Sequence, residues 1–261
     1  MSVASQRSEE PILTGHAISK RFGNVVALED VDFEIRPAEV VALIGDNGAG
    51  KSTLIKILSG ALVPDSGSMH MRGAPVALAS PREARAAGIE TVYQDLALAP
   101  DLDIASNLFL GREIVRAGIL GKLDFFDAGA MRERAAAHLQ TLGVNLNSIR
   151  QTVDTLSGGQ RQSVAVARTV FWGSDVVIMD EPTAALGVVQ SAMVLELIRR
   201  VRNAGTAVVF ISHNMPHVFE VSDRMIVMRH GRRVGALETK SATMDQAVGL
   251  MTGAAVHGDH P

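Results

Sequence analysis

Apolar residues along this chain come in two kinds of run. EVVALIG, DVVIMD and TAVVFISH are short and continuous, the pattern of strands buried on both faces of a parallel sheet. KSTLIKILSG, RQSVAVARTVF and VVQSAMVLELIRRVRNAG instead repeat their apolar positions every three to four residues, as helices with one buried face do. From residue 160 onward the two kinds alternate, which predicts a mostly parallel α/β sheet. ILTGHAISKRF, ALEDVDFEIR and SGSMHMRGAPV are partly alternating and broken by Gly or Pro, and they predict a small antiparallel β-subdomain. SPREARAAG predicts a helix and IETVY a short strand, after which ASNLFLGREI and AGAMRERAAAHLQTLG predict an inserted helical subdomain. RMIVMRHGRRVGAL predicts a closing hairpin and ATMDQAVGLMTG a last helix. The expected organisation is a flexible N-terminus (1–10), a core with its β-subdomain (11–94 and 160–240), a helical subdomain (95–159), and a C-terminal helix and tail (241–261).

Composition narrows the chemistry. The 261 residues carry no Cys, which excludes disulfides, thiolate zinc sites and iron–sulfur clusters and fits a reducing compartment. A formal net charge of −3 provides no broad basic field, so no nucleic-acid partner is expected. The polar start MSVASQRSEE has no signal-peptide core, and no apolar run approaches the roughly 20 residues of a membrane helix. Any link to a membrane is therefore expected to pass through a partner.

GDNGAGKST changes the picture most. It places Gly45, Gly50, Lys51 and Ser52 in the spacing G-x-x-x-x-G-K-[ST], with a strand before it and a helix after it. The backbone N–H groups of Asp46, Asn47, Gly48, Ala49 and Thr53 belong to the same loop, which wraps phosphates. Lys51 reaches the terminal phosphates, and the Ser52 hydroxyl ligates Mg²⁺. DVVIMDEP ends a buried strand in two carboxylates. Asp180 is expected beside the loop, holding Mg²⁺ directly or through water. Glu181 should point elsewhere by strand alternation and serve as general base toward an attacking water.

Gln94, after IETVY, could touch Mg²⁺ and that water, and His213, ending TAVVFIS, could hydrogen-bond the γ-phosphate. Either residue taken alone is more often structural. Phe22 has two readings of equal weight, a ring stacked on adenine, a contact worth about 1–3 kcal/mol in nucleic-acid binders, or a sheet-core Phe. A second glycine-bearing helix start, LSGGQ, places Ser157, Gly158, Gly159 and Gln160 ahead of an apolar helix, where free N–H groups can meet an anion.

In the order GDNGAGKST, Gln94, LSGGQ, DVVIMDE and His213, the chain resembles the ATP-binding subunits of ABC transporters over roughly residues 10 to 240. The resemblance implies a P-loop ATPase core, ATP and Mg²⁺ as cofactors, and two subunits facing head to tail. In that arrangement residues 157–160 of one subunit cover the γ-phosphate of the ATP held by the other. It further implies that the segment from about Gln94 to Gly111 meets a cytoplasmic helix of a transmembrane permease subunit, although its apolar residues could equally pack within the subdomain. AALG, VYQDLAL and NLFLGRE are similar to monosaccharide importers of the ribose, xylose and galactose type, which are usually double-length. As a single half the chain is most similar to the fructose-import members, which implies an identical copy as partner, a periplasmic sugar-binding protein acting through the permease, and a place on the inner face of the bacterial inner membrane. Gly187 departs from the family, where an Asp helps connect the two sites. A soluble ABC ATPase of translation or DNA repair, the alternative, commonly has fused halves or long coiled-coil insertions, and neither is present.

Overall fold

The computed structural model describes residues 10–93, 95–116 and 125–254. Among these residues ten strands form two sheets. The three continuous apolar runs become β3 (Val40–Ile44), β7 (Val176–Asp180) and β8 (Ala207–Ile211). With β6 (Ile89–Val92) and β9 (Arg224–Arg229) they lie parallel, and β10 (Arg232–Glu238) closes one edge antiparallel to β9. The spatial order is β10-β9-β3-β8-β7-β6.

Side-chain alternation along these strands splits the interior into two cores. Val41, Leu43, Ile178 and Val209 face helix α1 (Lys51–Leu58) and the second sheet. That sheet is antiparallel, in the order β2 (Val25–Ile35), β1 (Leu13–Phe22), β4 (Ser66–Met71) and β5 (Ala74–Val76). Val40, Ala42, Val177, Met179 and Phe210 face the other way, toward the remaining helices. Sheet faces buried on both sides explain why these strands are apolar without interruption.

Helix α2 (Pro81–Ala86) starts at a Ser80 cap. The helical region holds α3 (Ile104–Phe109) and α4 (Ala128–Thr141), and it leads into α5 (Gly158–Phe171). Asn107 is fully buried and organises the approach to α3, because its amide bonds the backbone of Ala99, Leu102 and Asp103 at 2.7–3.2 Å. After the long α6 (Val188–Asn203) come α7 (Met215–Val221) and α8 (Met244–Thr252).

Two local expectations change. The helix read through GREI stops at Phe109, and Gly111 takes φ 77°, which an α-helix cannot continue through. Helix α7 was not anticipated, although its Asn214 cap and Pro216 at the first turn are ordinary start signals. Among the described residues no helix is long and apolar enough to cross a membrane.

Candidate active site

Four strand ends meet along one edge. In spatial order β3 leads into the glycine loop, β8 into His213, β7 into Asp180 and Glu181, and β6 toward Gln94. The carboxyl edge of a parallel sheet is where such folds bind ligands, because the loops that follow the strands converge there. Gln94 itself lies outside the described residues.

The glycine loop is made by backbone conformations that other residues enter with strain. Gly45, Gly48 and Gly50 have φ of 151°, 79° and 99°. A Cβ at Gly45 would overlap the carbonyl oxygen of Met228, and one at Gly50 would lie 2.8 Å from that of Ala27. The loop is thus wedged between β2 and β9 and held as a cradle. It feeds α1 with no side-chain cap, so the first N–H groups of that helix stay open to an anion. Lys51 Nζ donates to the carbonyls of Gly45 (2.6 Å) and Asp46 (3.0 Å), folded across the loop it would serve.

Phe22, at the end of β1, is 51% exposed and lines the same cleft of about 320 Å³ with Asn47, Gly48, Lys51 and Thr53. This overturns the sheet-core reading of Phe22, since the strand leaves the core before reaching it.

Asp180 is the last residue of β7, paired with Ile211. Its carboxyl is held above the ordinary range, first by burial and then by Glu181, with Lys51 pulling the other way. Burial likewise lowers Lys51 against the opposing pull of Glu181, Asp46 and Asp180. Lys51, Asp180 and Glu181 therefore share one electrostatic neighbourhood. Glu181 follows the last residue of β7 with φ 51°, a left-handed position rare for a side chain of this size. That turn brings its carboxylate 2.9 Å from His213 Nδ1, a contact no reading of the sequence contained.

Among the described residues no three His, Cys, Asp or Glu side chains converge as a metal cluster. A divalent cation would have to be shared with phosphate oxygens, which suits Mg²⁺, a cation usually held by one or two protein ligands. The half-buried Asp180 carboxyl, held above its usual range, fits that role, because a second positive charge would relieve its repulsion from Glu181.

Ser157 caps α5 in a reciprocal capping box: its Oγ accepts from Gln160 N at 3.3 Å, and Gln160 Oε1 accepts from Ser157 N at 3.0 Å. The glycines behind it have a reason the sequence did not reveal. A Cβ on Gly159 would lie 2.9 Å from Cβ of Gln190 on α6, and one on Gly158 3.1 Å from Leu186. At Gly159 the helix start is pressed against α6, so a small residue is required there for space as well as for any anion. None of residues 157–160 lines the cleft at the glycine loop. Phe22 and the loop thus line one cleft, Asp180 and Glu181 are joined to it through their charge on Lys51 and His213 through Glu181, whereas Gly158 and Gly159 pack against Leu186 and Gln190.

Sequence reasoning also missed Thr183, whose Oγ1 meets His217 Nδ1 at 3.0 Å, and Arg168, which bonds the loop after Gln94. A cation inside the apolar pattern of RQSVAVARTVF was the available signal for Arg168.

The chain matches the ABC transporter family over residues 28–184. It is 57% identical over 249 residues to the fructose import ATP-binding protein FrcA of Rhizobium meliloti, covering 95% of this chain and 96% of that protein. It is 45% identical over 235 residues to the xylose/arabinose import ATP-binding protein XylG of Sulfolobus acidocaldarius, covering 90% and 91%. With the ribose import ATP-binding protein RbsA 1 of Rubrobacter xylanophilus the identity is 43%, over 96% of this chain but 49% of that longer protein. Among solved structures, the ATP-binding cassette MJ1267 superposes with a TM-score of 0.79 at 23% identity, covering 94% of this chain and 98% of that one, which is a likeness of fold.

Proposed function

The chain belongs to the ABC transporter family, and from that premise we propose that it is the ATP-binding and ATP-hydrolysing subunit of a monosaccharide importer. Two identical copies act on transmembrane permease subunits at the inner face of the bacterial membrane, and a periplasmic binding protein delivers the sugar. Fructose is the proposed sugar, on the 57% identity to a fructose import protein over nearly the whole of both chains.

The observation that carries the reading is the presence of two anion-competent backbone segments that pack against different neighbours. The cleft at the glycine loop has a cradle, a lysine and an aromatic wall, yet residues 157–160 are no part of it. With Gln160 N taken by Ser157, the amides of Gly158 and Gly159 are the donors left at that helix end. In the proposed dimer they cover the γ-phosphate of the nucleotide bound to the second copy. Each site is complete only when both copies close, and hydrolysis removes the bridge that favours closure.

Within one site the roles follow from position. Phe22 lies against the adenine, residues 45–53 wrap the phosphates, and Lys51 exchanges its two loop carbonyls for phosphate oxygens. Ser52, Gln94 and Asp180 are the proposed ligands of Mg²⁺, which when bound would supply neutralising charge on the phosphate oxygens. Glu181 accepts the proton of the attacking water, and His213, in contact with it, orients that carboxylate. The permease is expected at residues 94–111, beside a groove lined by Tyr93, Leu108, Leu110 and Trp172. Residues 11–94 with 160–240, and 95–159, are the proposed core and helical subdomains, with α5 running across the boundary between them.

Vesicles carrying the full transporter should show fructose-stimulated ATP hydrolysis and uptake; a strong response to a different sugar with none to fructose would remove fructose. Ser157→Arg should leave nucleotide binding by the single copy intact and block hydrolysis. Loss of binding in the single copy would overturn the shared site.

A further inference from the structure

Leu96 and Ala97 are consecutive and neither is glycine, yet their φ values are 51° and 47°, a region that residues with a Cβ rarely enter. They lie two and three positions after Gln94. On one side the chain is fixed by β6, which ends at Val92, and on the other by buried Asn107, whose Oδ1 accepts from Ala99 N at 2.7 Å. Between those anchors the two left-handed residues are gripped by one side chain. Arg168 Nη1 donates to Ala97 O at 2.7 Å and Nη2 to Leu96 O at 3.1 Å. The planar guanidinium suits this double contact as an ammonium group would not.

Arg168 belongs to α5, the helix that starts at Ser157. The eleven residue steps from Ser157 to Arg168 span about 16 Å of helix at 1.5 Å per residue. Glu90, with Arg85 and Arg112 close to it, faces the same guanidinium from β6, so the charge of Arg168 is partly balanced where it sits.

We propose that Arg168 is a positioning residue that ties the loop carrying Gln94 to the helix carrying residues 157–160, so that the two nucleotide-facing elements of one chain move as one body. A strained pair of residues that relaxes when released makes this a tie with two settings, gripped or free. The inference rests on the shared-site reading above for what the motion accomplishes, and on the two hydrogen bonds for the tie itself.

The test compares Arg168→Lys, Arg168→Ala and Arg168→Lys with Ala97→Gly, each checked for a cooperative melt. In steady-state hydrolysis by the full chain, both single variants should lower kcat about tenfold, a loss typical of a misplaced site, while affinity for a fluorescent ATP analogue stays within about threefold. Adding Ala97→Gly should recover at least about threefold of kcat, because glycine holds the left-handed conformation without a grip. An unchanged kcat in both single variants, or a loss relieved by Glu90→Gln and not by Ala97→Gly, would overturn the proposal in favour of a counter-charge for Glu90.

Hydrogen exchange with a non-hydrolysable ATP analogue reads the tie without turnover. Protection of residues 95–98 and 157–161 should rise together in the unaltered chain and separate in Arg168→Lys. Joint protection in that variant would overturn the proposal. Absence of hydrolysis by the unaltered chain would instead count against the proposed function.

Discussion

The glycine loop at residues 45–53 and the helix start at residues 157–160 read alike in sequence, as glycines ahead of a helix, yet they need glycine for different reasons. In the first, Gly45, Gly48 and Gly50 all have positive φ, and the backbone shape itself demands them. In the second, neither glycine has a positive φ; Gly159 is needed because α6 passes so close that a Cβ would collide with Gln190. The first is a complete cradle inside one chain. The second is a capped helix end whose first two amides meet no acceptor among the described residues. A motif therefore specifies an anion site only together with the surface it faces.

The largest expected effects test whether chemistry resides on the first side of that comparison. Glu181→Gln should lower kcat about 10²- to 10⁴-fold, the range for losing a general base, with nucleotide binding retained, as measured by phosphate release and by binding of a fluorescent analogue. Lys51→Ala removes a charged hydrogen-bond donor from the cradle and should weaken nucleotide affinity about 10- to 100-fold. If Ser157→Arg weakened single-copy affinity as much, the two regions would not be separate sites.

Stability measurements sharpen the contrast between the glycines. Gly159→Ala should destabilise by about 1–3 kcal/mol through overpacking, and Gln190→Ala should relieve part of it. Gly48→Ala, with nothing within 4 Å of the new Cβ, should cost about 1–2 kcal/mol from backbone conformation alone, with no neighbour able to relieve it. Denaturant titration of the two glycine variants and of Gly159→Ala combined with Gln190→Ala separates overlap from strain.

Burial and Glu181 hold the Asp180 carboxyl above its usual range, so its ionised form opposes folding. That penalty is fully present above the raised range and gone below the unfolded range. Asp180→Asn is therefore expected to raise Tm at pH 7, with the gain shrinking as pH falls through the carboxylate range. Gly187→Asp should show the smallest change. Gly187 caps α6 at φ −70° with nothing within 4 Å of a Cβ, so a carboxylate fits there and should add a few tenths of a kcal/mol as a helix cap. The missing side chain is thus no demand of the backbone.

Much of the fold was legible because its signals are local. Continuous apolar runs became the central strands, period-3.6 runs became α5 and α6, and the glycine loop fell between a strand and a helix as its spacing required. The short α7 and the early end of α3 were missed, since a helix of one or two turns has little periodicity to read. Phe22 stayed ambiguous because exposure depends on where β1 leaves the sheet. The contact of Glu181 with His213 was not legible because Glu181 follows the last residue of β7 in a left-handed turn, where strand alternation no longer says what a side chain meets.

By itself the sequence determined which elements form, which loop can hold phosphate, and which family the chain resembles, because each depends on residues adjacent in the chain. Only the tertiary structure decided that four strand ends share one edge, that Gly159 exists for the sake of Gln190, and that Arg168 reaches across 71 residues to grip Ala97. Those facts depend on packing between distant segments, where distance in space is set by the whole core and leaves no periodic trace along the chain.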